Sequence, residues 1–218
     1  YSTHSKRRGA VLIINIINYE NDIRKGADVD SKNLNELFLQ MGLTVELYAD
    51  LTVREIMAVI RNFKLSVGCD MVFVIVMGHG TINKDFDVSE VIGTDNDCIS
   101  TKWIEEQFNN TQCKILQNKP KIFVYQMCRG ERSCSDMLIA HSTLPGNVSH
   151  RDVHLGTWYI SLFCKAMMEH AHNTHVEDIF KLIDSKLALL RSGSTMQTSM
   201  YTNIGFKTCY VHPGIYMD

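Results

Sequence analysis

The chain contains 218 residues, of which 45% are hydrophobic and 21% are charged, and its formal net charge is −2. This composition excludes a disordered chain, and the length is sufficient to bury one large core. The charge excludes a strongly basic protein that binds nucleic acid or anionic membranes, and no run approaches the ~20 apolar residues of a membrane span, so we expect a cytoplasmic protein.

The predicted elements begin with an apolar, β-branched run at residues 10–17, which has the length of a strand. Residues 30–41 follow with their apolar side chains on one helical face, and Gly42 provides a favourable end for this helix. The short apolar run at residues 43–48 predicts the next strand.

A second helix is predicted to begin where Thr52 and Glu55 can form a capping box, and its pattern continues to about Phe63. Continuous apolar runs at residues 71–77 and 122–127 predict two further strands. Runs without alternation are typical of strands that are buried on both faces, as in a parallel sheet.

The last third of the chain continues the alternation, with helices predicted at residues 157–170 and 176–190 and an apolar final strand at residues 205–212. Strands that alternate with helices predict an α/β fold with a mostly parallel central sheet and helices on both faces. No internal repeat, low-complexity segment or Pro-rich linker divides the chain into independent domains.

Two chemically active residue types follow neighbouring predicted strands. His79 and Gly80 come after the run at residues 71–77, and Cys128 comes after the run at residues 122–127. Because ligands bind beyond the carboxyl ends of parallel strands, we expect these residues at one edge of the sheet. An imidazole beside a thiol increases the thiolate fraction and later donates a proton, and the amides of Gly80 and Cys128 are candidate oxyanion donors.

Four segments of the chain match the motifs of a known family in the family's order. They are RKGADVD at residues 24–30, GHG at 78–80, QMCRG at 126–130, and SHR at 149–151 followed by GTWY at 156–159. These segments resemble R-x-G-[ST]-x-x-D, S-H-G, Q-A-C-R-G, and S-W-R with G-S-W-[FY], and a histidine about 50 residues before the cysteine is typical of the same family. The chain therefore resembles the protease domain of a caspase.

The resemblance implies a caspase-like three-layer sandwich, with residues 1–135 as the large-subunit segment and residues 136–218 as the small-subunit segment of one domain. It implies a cysteine endopeptidase that cleaves intracellular proteins after aspartate, similar to the initiator caspases of apoptosis, and a role in inflammatory processing stays open. Cys128 would attack the carbonyl, Gly80 would help to hold the oxyanion, and His79 would transfer protons. The resemblance implies no cofactor and no metal.

The resemblance also implies a pocket for the aspartate side chain that precedes the cleaved bond, the P1 residue. Arg24, Gln126 and Arg151 would line this pocket. The two arginines suit the task independently of the family, because a guanidinium matches a carboxylate with paired, charge-assisted hydrogen bonds.

Further substrate contacts are implied for three residues around this pocket. Ser149 and His150 would run beside the substrate backbone together with Arg151, and Trp158 would wall the more distant subsites. A core anchor at a helix start is the alternative for Trp158. His150 departs from the family, which commonly has an aromatic residue at this position, and this departure leaves the preference at P2 open.

The resemblance implies two partners besides the protein substrates. The strand predicted at residues 205–212 would pair with its twofold copy in a homodimer, because a long apolar edge strand invites pairing. Initiator caspases carry a recruitment domain that binds an activating adaptor, and the chain begins without one, which implies a fragment. The linker at residues 130–135 is short for the family, which implies a shortened chain or a member that works uncut.

Three alternatives to this reading are open from the sequence. A catalytically silent relative would bind other caspases or their adaptors, and a metacaspase-like protease would need an acidic P1 pocket in place of the arginines. The nine histidines include a group near residues 170–175 that suggests a metal site, but an exposed helix end explains them better. The seven cysteines, an odd number without a C-x-x-C pair, predict reduced and mostly buried thiols.

Overall fold

A computed structural model describes the chain except for residues 2, 4, 84–87, 128–135, 145–148, 153–155, 193–194 and 214–218, and for residue 82 it describes the backbone alone. Within this part, the strands in chain order are β1 (Gly9–Asn15), β2 (Asn18–Tyr19), β3 (Asp22–Ile23), β4 (Thr44–Ala49), β5 (Met71–Met77), β6 (Gly80–Asn83), β7 (Val88–Ile92), β8 (Cys98–Ser100), β9 (Lys121–Gln126), β10 (Met137–His141), β11 (Arg151–Asp152), β12 (Gly156–Thr157) and β13 (Met200–Ile204). The α-helices are α1 (Ala27–Gln40), α2 (Val53–Ser66), α3 (Thr101–Gln107), α4 (Trp158–His170) and α5 (Val176–Leu187).

The central sheet has six strands in the order β13-β10-β9-β5-β1-β4. Every neighbouring pair is parallel except β10 and β13, which run antiparallel. The predicted strands at 10–17, 43–48, 71–77 and 122–127 are confirmed as β1, β4, β5 and β9, with their ends displaced by at most two residues. Strands from both predicted segments, before and after residue 135, share this one sheet.

Two layers of helices cover the sheet, so the prediction of a three-layer α/β sandwich is confirmed. Helices α1, α4 and α5 pack in one core cluster, while α2 and α3 pack in the other. The side chains of β5 alternate between the two clusters, with Phe73 and Ile75 in the first and Val74 and Val76 in the second. Burial on both faces explains why the strand is apolar at every position.

The ends of the helices follow the capping signals in the sequence. Thr52 and Glu55 form the predicted capping box at the start of α2. The Thr157 side chain accepts a hydrogen bond from the Ile160 amide at the start of α4. Helix α5 ends at Leu187, three residues before its predicted end.

The prediction of a strand at residues 205–212 is wrong. The last described strand is β13, and the chain leaves the sheet at Gly205, whose φ of 62° is a left-handed conformation that glycine adopts without strain. The apolar side chains of Phe206, Cys209 and Val211 are buried instead in the core cluster of α1, α4 and α5. Their hydrophobicity therefore reflects packing against helices and not pairing at a sheet edge.

The helices of the described residues are short, and none of them is long and apolar enough to cross a membrane. The longest, α1 and α2, have 14 residues each. The sequence prediction missed β10, a buried five-residue strand, and α3.

Candidate active site

The predicted nucleophile and base follow neighbouring strands at equivalent positions. Met77 at the end of β5 pairs with Gln126 at the end of β9. His79 and Cys128 each stand two residues beyond this pair, and adjacent strands lie about 4.8 Å apart. Cys128 itself is outside the described residues, so its position beside His79 stays a prediction from strand register.

Arg24 is buried at the same edge, and the end of β1 holds it. Its Nη1 donates to Asn15 Oδ1 at 2.9 Å and to the carbonyl oxygen of Ile16 at 2.7 Å. The side-chain nitrogen of Asn15, Nδ2, in turn donates to the Ala27 carbonyl at 2.7 Å, which fixes the loop before α1. Burial and the nearby charge of Arg151 lower the pKa of Arg24 to about 10, so its guanidinium remains charged at neutral pH.

Arg151 lies near Arg24, and the buried carboxylate of Asp30 lies near both arginines. Arg151 Nη1 donates to the Lys25 carbonyl at 3.3 Å, and its buried Nε has no hydrogen-bond partner among the described residues. Asp30 Oδ1 accepts from the Thr157 amide at 2.9 Å. Burial raises the pKa of Asp30 to about 6, although hydrogen bonds from Thr157 and the charges of Arg24 and Arg151 act to lower it.

Gln126 is joined to the segment around Ser149 by a buried hydrogen-bond network. Gln126 Nε2 donates to Ser149 Oγ at 2.6 Å, and Gln197 Nε2 donates to the same oxygen at 3.1 Å. Gln197 Nε2 also donates to the Ser142 carbonyl at 2.7 Å, while its Oε1 accepts from the His150 amide at 2.7 Å. Gln197 therefore ties residues 149–150 to the end of β10.

His150, which follows Ser149, contacts Trp158. Their rings stack with centroids 4.6 Å apart, and the Trp158 amide donates to the His150 carbonyl at 3.2 Å. Trp158 is half-buried at the start of α4 and also packs against the core. Trp158 thus stacks on His150 and anchors the start of α4, while the wall of the substrate subsites stays a prediction.

The His79 side chain is partly exposed and is held by the β2–β3 hairpin. Its Nε2 lies 2.8 Å from Asp22 Oδ2, and its ring lies 4.5 Å from the Tyr19 ring, centroid to centroid. The Tyr19 hydroxyl accepts from the His79 amide at 2.8 Å and donates to the Ile92 carbonyl at 3.1 Å. This hydroxyl therefore bridges β7 and the backbone of His79.

The ladder between β6 and β7 fixes the direction of the Gly80 amide, whose role as an oxyanion donor stays a prediction. The Ile92 amide donates to the His79 carbonyl at 3.0 Å, so these two residues face each other as a hydrogen-bonded pair. Gly80 pairs with Val91 at the next position. Because such pairs alternate in an antiparallel ladder, the Gly80 N–H points away from β7.

Sequence reasoning missed three side chains that hold the site: Asn15, Gln197 and Asp22. Asn15 carries a readable signal, since a polar residue near the end of an otherwise apolar strand needs a hydrogen-bond partner. Gln197 and Asp22 carry no such signal, because each contacts a residue that is distant in the sequence.

Four of the five described cysteines are buried, and the fifth, Cys98, is exposed. Five cysteines are described as free thiols, and burial raises the pKa of Cys69 to about 11 and of Cys164 to about 12, so these thiols stay protonated at neutral pH. No group of three or more His, Cys, Asp or Glu side chains suited to a metal ion occurs among the described residues. His141 is buried at the end of β10, whereas His172 is exposed.

The sequence is similar to one protein family and to several of its known members. The family described as "Caspase domain" matches residues 8–209. Caspase Dronc of Drosophila melanogaster is 28% identical over 258 aligned positions, which cover 97% of this chain and 57% of that protein. Caspase-3 of Bos taurus is 28% identical over 221 positions, which cover 87% of this chain and 76% of that protein. The chain thus spans little more than half the length of Dronc.

Solved structures agree with the sequence comparisons. The crystal structure of the Drosophila initiator caspase Dronc superposes with a TM-score of 0.89 at 30% identity, covering 100% of this chain and 88% of that chain. Caspase-1 from Spodoptera frugiperda has a TM-score of 0.84 at 23% identity, covering 95% and 93% of the two chains, and supports the fold alone. The matched domain, the relatives and the shared fold show that the chain belongs to the caspase family.

Proposed function

We propose that the chain is a cysteine endopeptidase that cleaves proteins after aspartate, with Cys128 as nucleophile and His79 as proton carrier. The observation that carries this proposal is the pair of arginines, Arg24 and Arg151, beyond the end of β1. Family membership supplies the class of reaction, and the arginine pair supplies the specificity.

The charges of the pocket favour an acidic substrate side chain. Arg24, Arg151 and Asp30 comprise two cations and one anion at neutral pH, so the group has an excess of positive charge. The buried Nε of Arg151 has no described acceptor, and a buried donor without a partner costs about 1–3 kcal/mol. A substrate carboxylate would balance the charge and accept this hydrogen bond, whereas an Asn side chain would provide only the acceptor.

The backbone of Arg151 is suited to bind an extended peptide. The hydrogen bond from the Trp158 amide to the His150 carbonyl makes these two residues a bonded pair. Arg151 pairs with Thr157 at the next position, where the alternation of an antiparallel ladder directs the N–H and C=O of Arg151 away from β12. These two groups are therefore available to the backbone of a substrate strand.

The proposed reaction follows from these positions. His79 takes the proton of the Cys128 thiol, the sulfur attacks the carbonyl carbon of the P1 aspartate, and the amides of Gly80 and Cys128 stabilise the oxyanion. His79 gives its proton to the leaving amine as the C–N bond breaks, which leaves a thioester on Cys128. Water then attacks the thioester with His79 as base, and the acid product departs while the thiol is restored.

The wider role proposed here is that of an initiator caspase acting in apoptosis inside the cell. Residues 1–135 and 136–218 would be the large-subunit and small-subunit segments, and an adaptor would recruit the protein through a further domain. A homodimer would form through β13, the strand at the edge of the sheet, in place of residues 205–212. Sedimentation of the active enzyme tests this dimer, and full activity in a monomer would contradict it.

The test of the proposed activity is hydrolysis of fluorogenic tetrapeptides that differ only at P1, with Asp, Glu, Asn and Arg. We expect efficient cleavage of the acidic peptides, much slower cleavage of the Asn peptide, no cleavage of the Arg peptide, and no activity in the Cys128→Ala variant. Silence toward every peptide would indicate a binding relative without protease activity. Cleavage after Arg would contradict the arginine pocket.

A further inference from the structure

The β2–β3 hairpin brings a carboxylate to the histidine of the candidate active site. Asp22 Oδ2 lies 2.8 Å from His79 Nε2, and the side chains are 61% and 42% exposed. The two residues are separated by 57 positions in the sequence, so the contact is a product of the fold. Asp22 also stands two residues before Arg24, which places one loop against both the base and the P1 pocket.

The chemistry of this contact fixes the tautomer of His79. An ionised carboxylate only accepts hydrogen bonds, so His79 Nε2 must be the donor and must carry a proton. In the neutral imidazole, Nδ1 is then the unprotonated nitrogen with a free lone pair. Nδ1 has no hydrogen-bond partner recorded among the described residues, which leaves it available to a thiol or to a leaving amine.

The same hairpin also restrains the backbone and ring of His79. The Tyr19 hydroxyl accepts from the His79 amide at 2.8 Å, and the Tyr19 ring contacts the imidazole at a centroid distance of 4.5 Å. Asp22 adds a third point of contact at the far nitrogen of the ring. A ring held at its backbone, at its face and at Nε2 has one orientation in which Nδ1 points away from the hairpin.

We propose that Asp22 is a positioning residue that fixes the tautomer and orientation of His79, so that Cys128, His79 and Asp22 act as a nucleophile, a base and an orienting carboxylate. This inference rests on the proposed protease function. The arrangement is the general one for an activated nucleophile, in which a third group orients the base. Asp22 acts through His79 and touches neither the substrate nor the reacting atoms.

The test compares four variants with the wild type. Asp22→Ala removes the acceptor, Asp22→Asn replaces it with an amide that can bind either tautomer, and Asp22→Glu restores a carboxylate. Glu20→Gln is the matched control, because it removes one exposed negative charge from the same hairpin. Steady-state hydrolysis of the P1-Asp peptide gives kcat and KM, and ¹⁵N spectra of the imidazoles report the tautomer of His79 without requiring activity.

We expect Asp22→Ala to lower kcat about fivefold, the upper range for an exposed ion pair, with KM within about twofold of wild type. Asp22→Asn should lower kcat at least as much, because an amide also stabilises the wrong tautomer. Asp22→Glu should recover most of the activity, and Glu20→Gln should behave as wild type. The ¹⁵N spectra should show a protonated Nε2 in the wild type and a mixture of tautomers in Asp22→Ala.

Two separate outcomes would overturn parts of the account. If Asp22→Ala keeps the kcat and the tautomer of the wild type, Asp22 does not position His79, while selective hydrolysis by the wild type still supports the protease function. If the wild type hydrolyses no peptide, the protease function fails, and so does any contribution of Asp22 to turnover. The imidazole spectra then still decide whether Asp22 sets the tautomer.

Discussion

Replacing Gln197 by methionine keeps a side chain of similar length and removes every hydrogen bond that the amide makes. In the wild type, this amide binds the Ser142 carbonyl, the Ser149 hydroxyl and the His150 amide at distances of 2.7 to 3.1 Å. Gln197 is 1% exposed, so water cannot easily replace the lost partner. We expect the variant to fold with a loosened segment at residues 149–151.

The size of the effect follows from the groups that lose a partner. The Ser142 carbonyl and the His150 amide are left unpaired, while Gln126 still donates to Ser149. Each buried group without a partner costs about 1–3 kcal/mol, so the loss of two partners should lower the free energy of unfolding by about 2–6 kcal/mol. Because a displacement of about 1 Å in a substrate-binding element lowers turnover up to about 100-fold, kcat/KM should fall by about 10- to 100-fold.

Ser199→Ala provides the matched control for this experiment. Ser199 lies two residues along the same segment, and its hydroxyl donates at 2.9 Å to Oδ1 of Asp184 in α5 instead of to residues 149–151. Its removal should cost about 1 kcal/mol of stability and leave KM unchanged. Both variants are assayed with the P1-Asp peptide at a temperature well below the lower of their unfolding midpoints, so that all of the protein is folded.

The comparison separates a positioning role from a purely structural one. If Gln197→Met lowers stability but keeps the KM and the Asp/Asn selectivity of Ser199→Ala, then Gln197 supports the fold alone. The reasoning would also be refuted by wild-type stability in Gln197→Met, because two buried groups would then have lost their partners without consequence.

Three further predictions concern the P1 pocket. Arg151→Lys keeps the charge but loses the planar fork, so the ratio of kcat/KM for Asp over Asn at P1 should fall about tenfold, and an unchanged ratio would contradict a guanidinium contact. The pKa of Asp30 is raised to about 6 in the folded protein, so the stability provided by its neutral form is lost as pH rises through 6. In urea titrations, the free energy of unfolding of Asp30→Asn relative to wild type should therefore rise by up to about 3 kcal/mol from a pH of about 4 to about 7. A difference that does not change with pH would refute the raised pKa. Gly156 has a φ of 79°, and an added Cβ would collide with Asp30 Oδ1. Gly156→Ala should therefore lower the free energy of unfolding by at least about 1–2 kcal/mol. An unshifted midpoint in thermal unfolding would contradict this expectation.

The parts of the fold that the sequence predicts well are those decided by local pattern. Residues 71–77 form a strand with the predicted bounds, because seven consecutive apolar side chains fit only an element buried on both faces. Residues 205–212 contain four apolar side chains, yet they form no strand, because Gly205 turns the chain and Phe206 packs under the helices. Composition alone does not distinguish burial in a sheet from burial against it.

The candidate site divides in the same way. Arg24 and Gln126 belong to short motifs or strand ends, so their position at one edge follows from the order of strands. Gln197 and Asp22 reach their partners across 47 and 57 residues, and such contacts depend on how loops pack after the sheet has formed. A pattern of neighbouring residues contains no information about pairings of this kind.

The central claim is that Cys128 is a nucleophile beside a pocket for aspartate. Its most direct test is covalent labelling with a peptidyl chloromethyl ketone that carries Asp at P1, followed by intact-mass and peptide mass spectrometry. We expect one adduct per chain, located on Cys128, and no adduct from the matching reagent with Arg at P1. Labelling at another cysteine, or equal labelling by the two reagents, would contradict it.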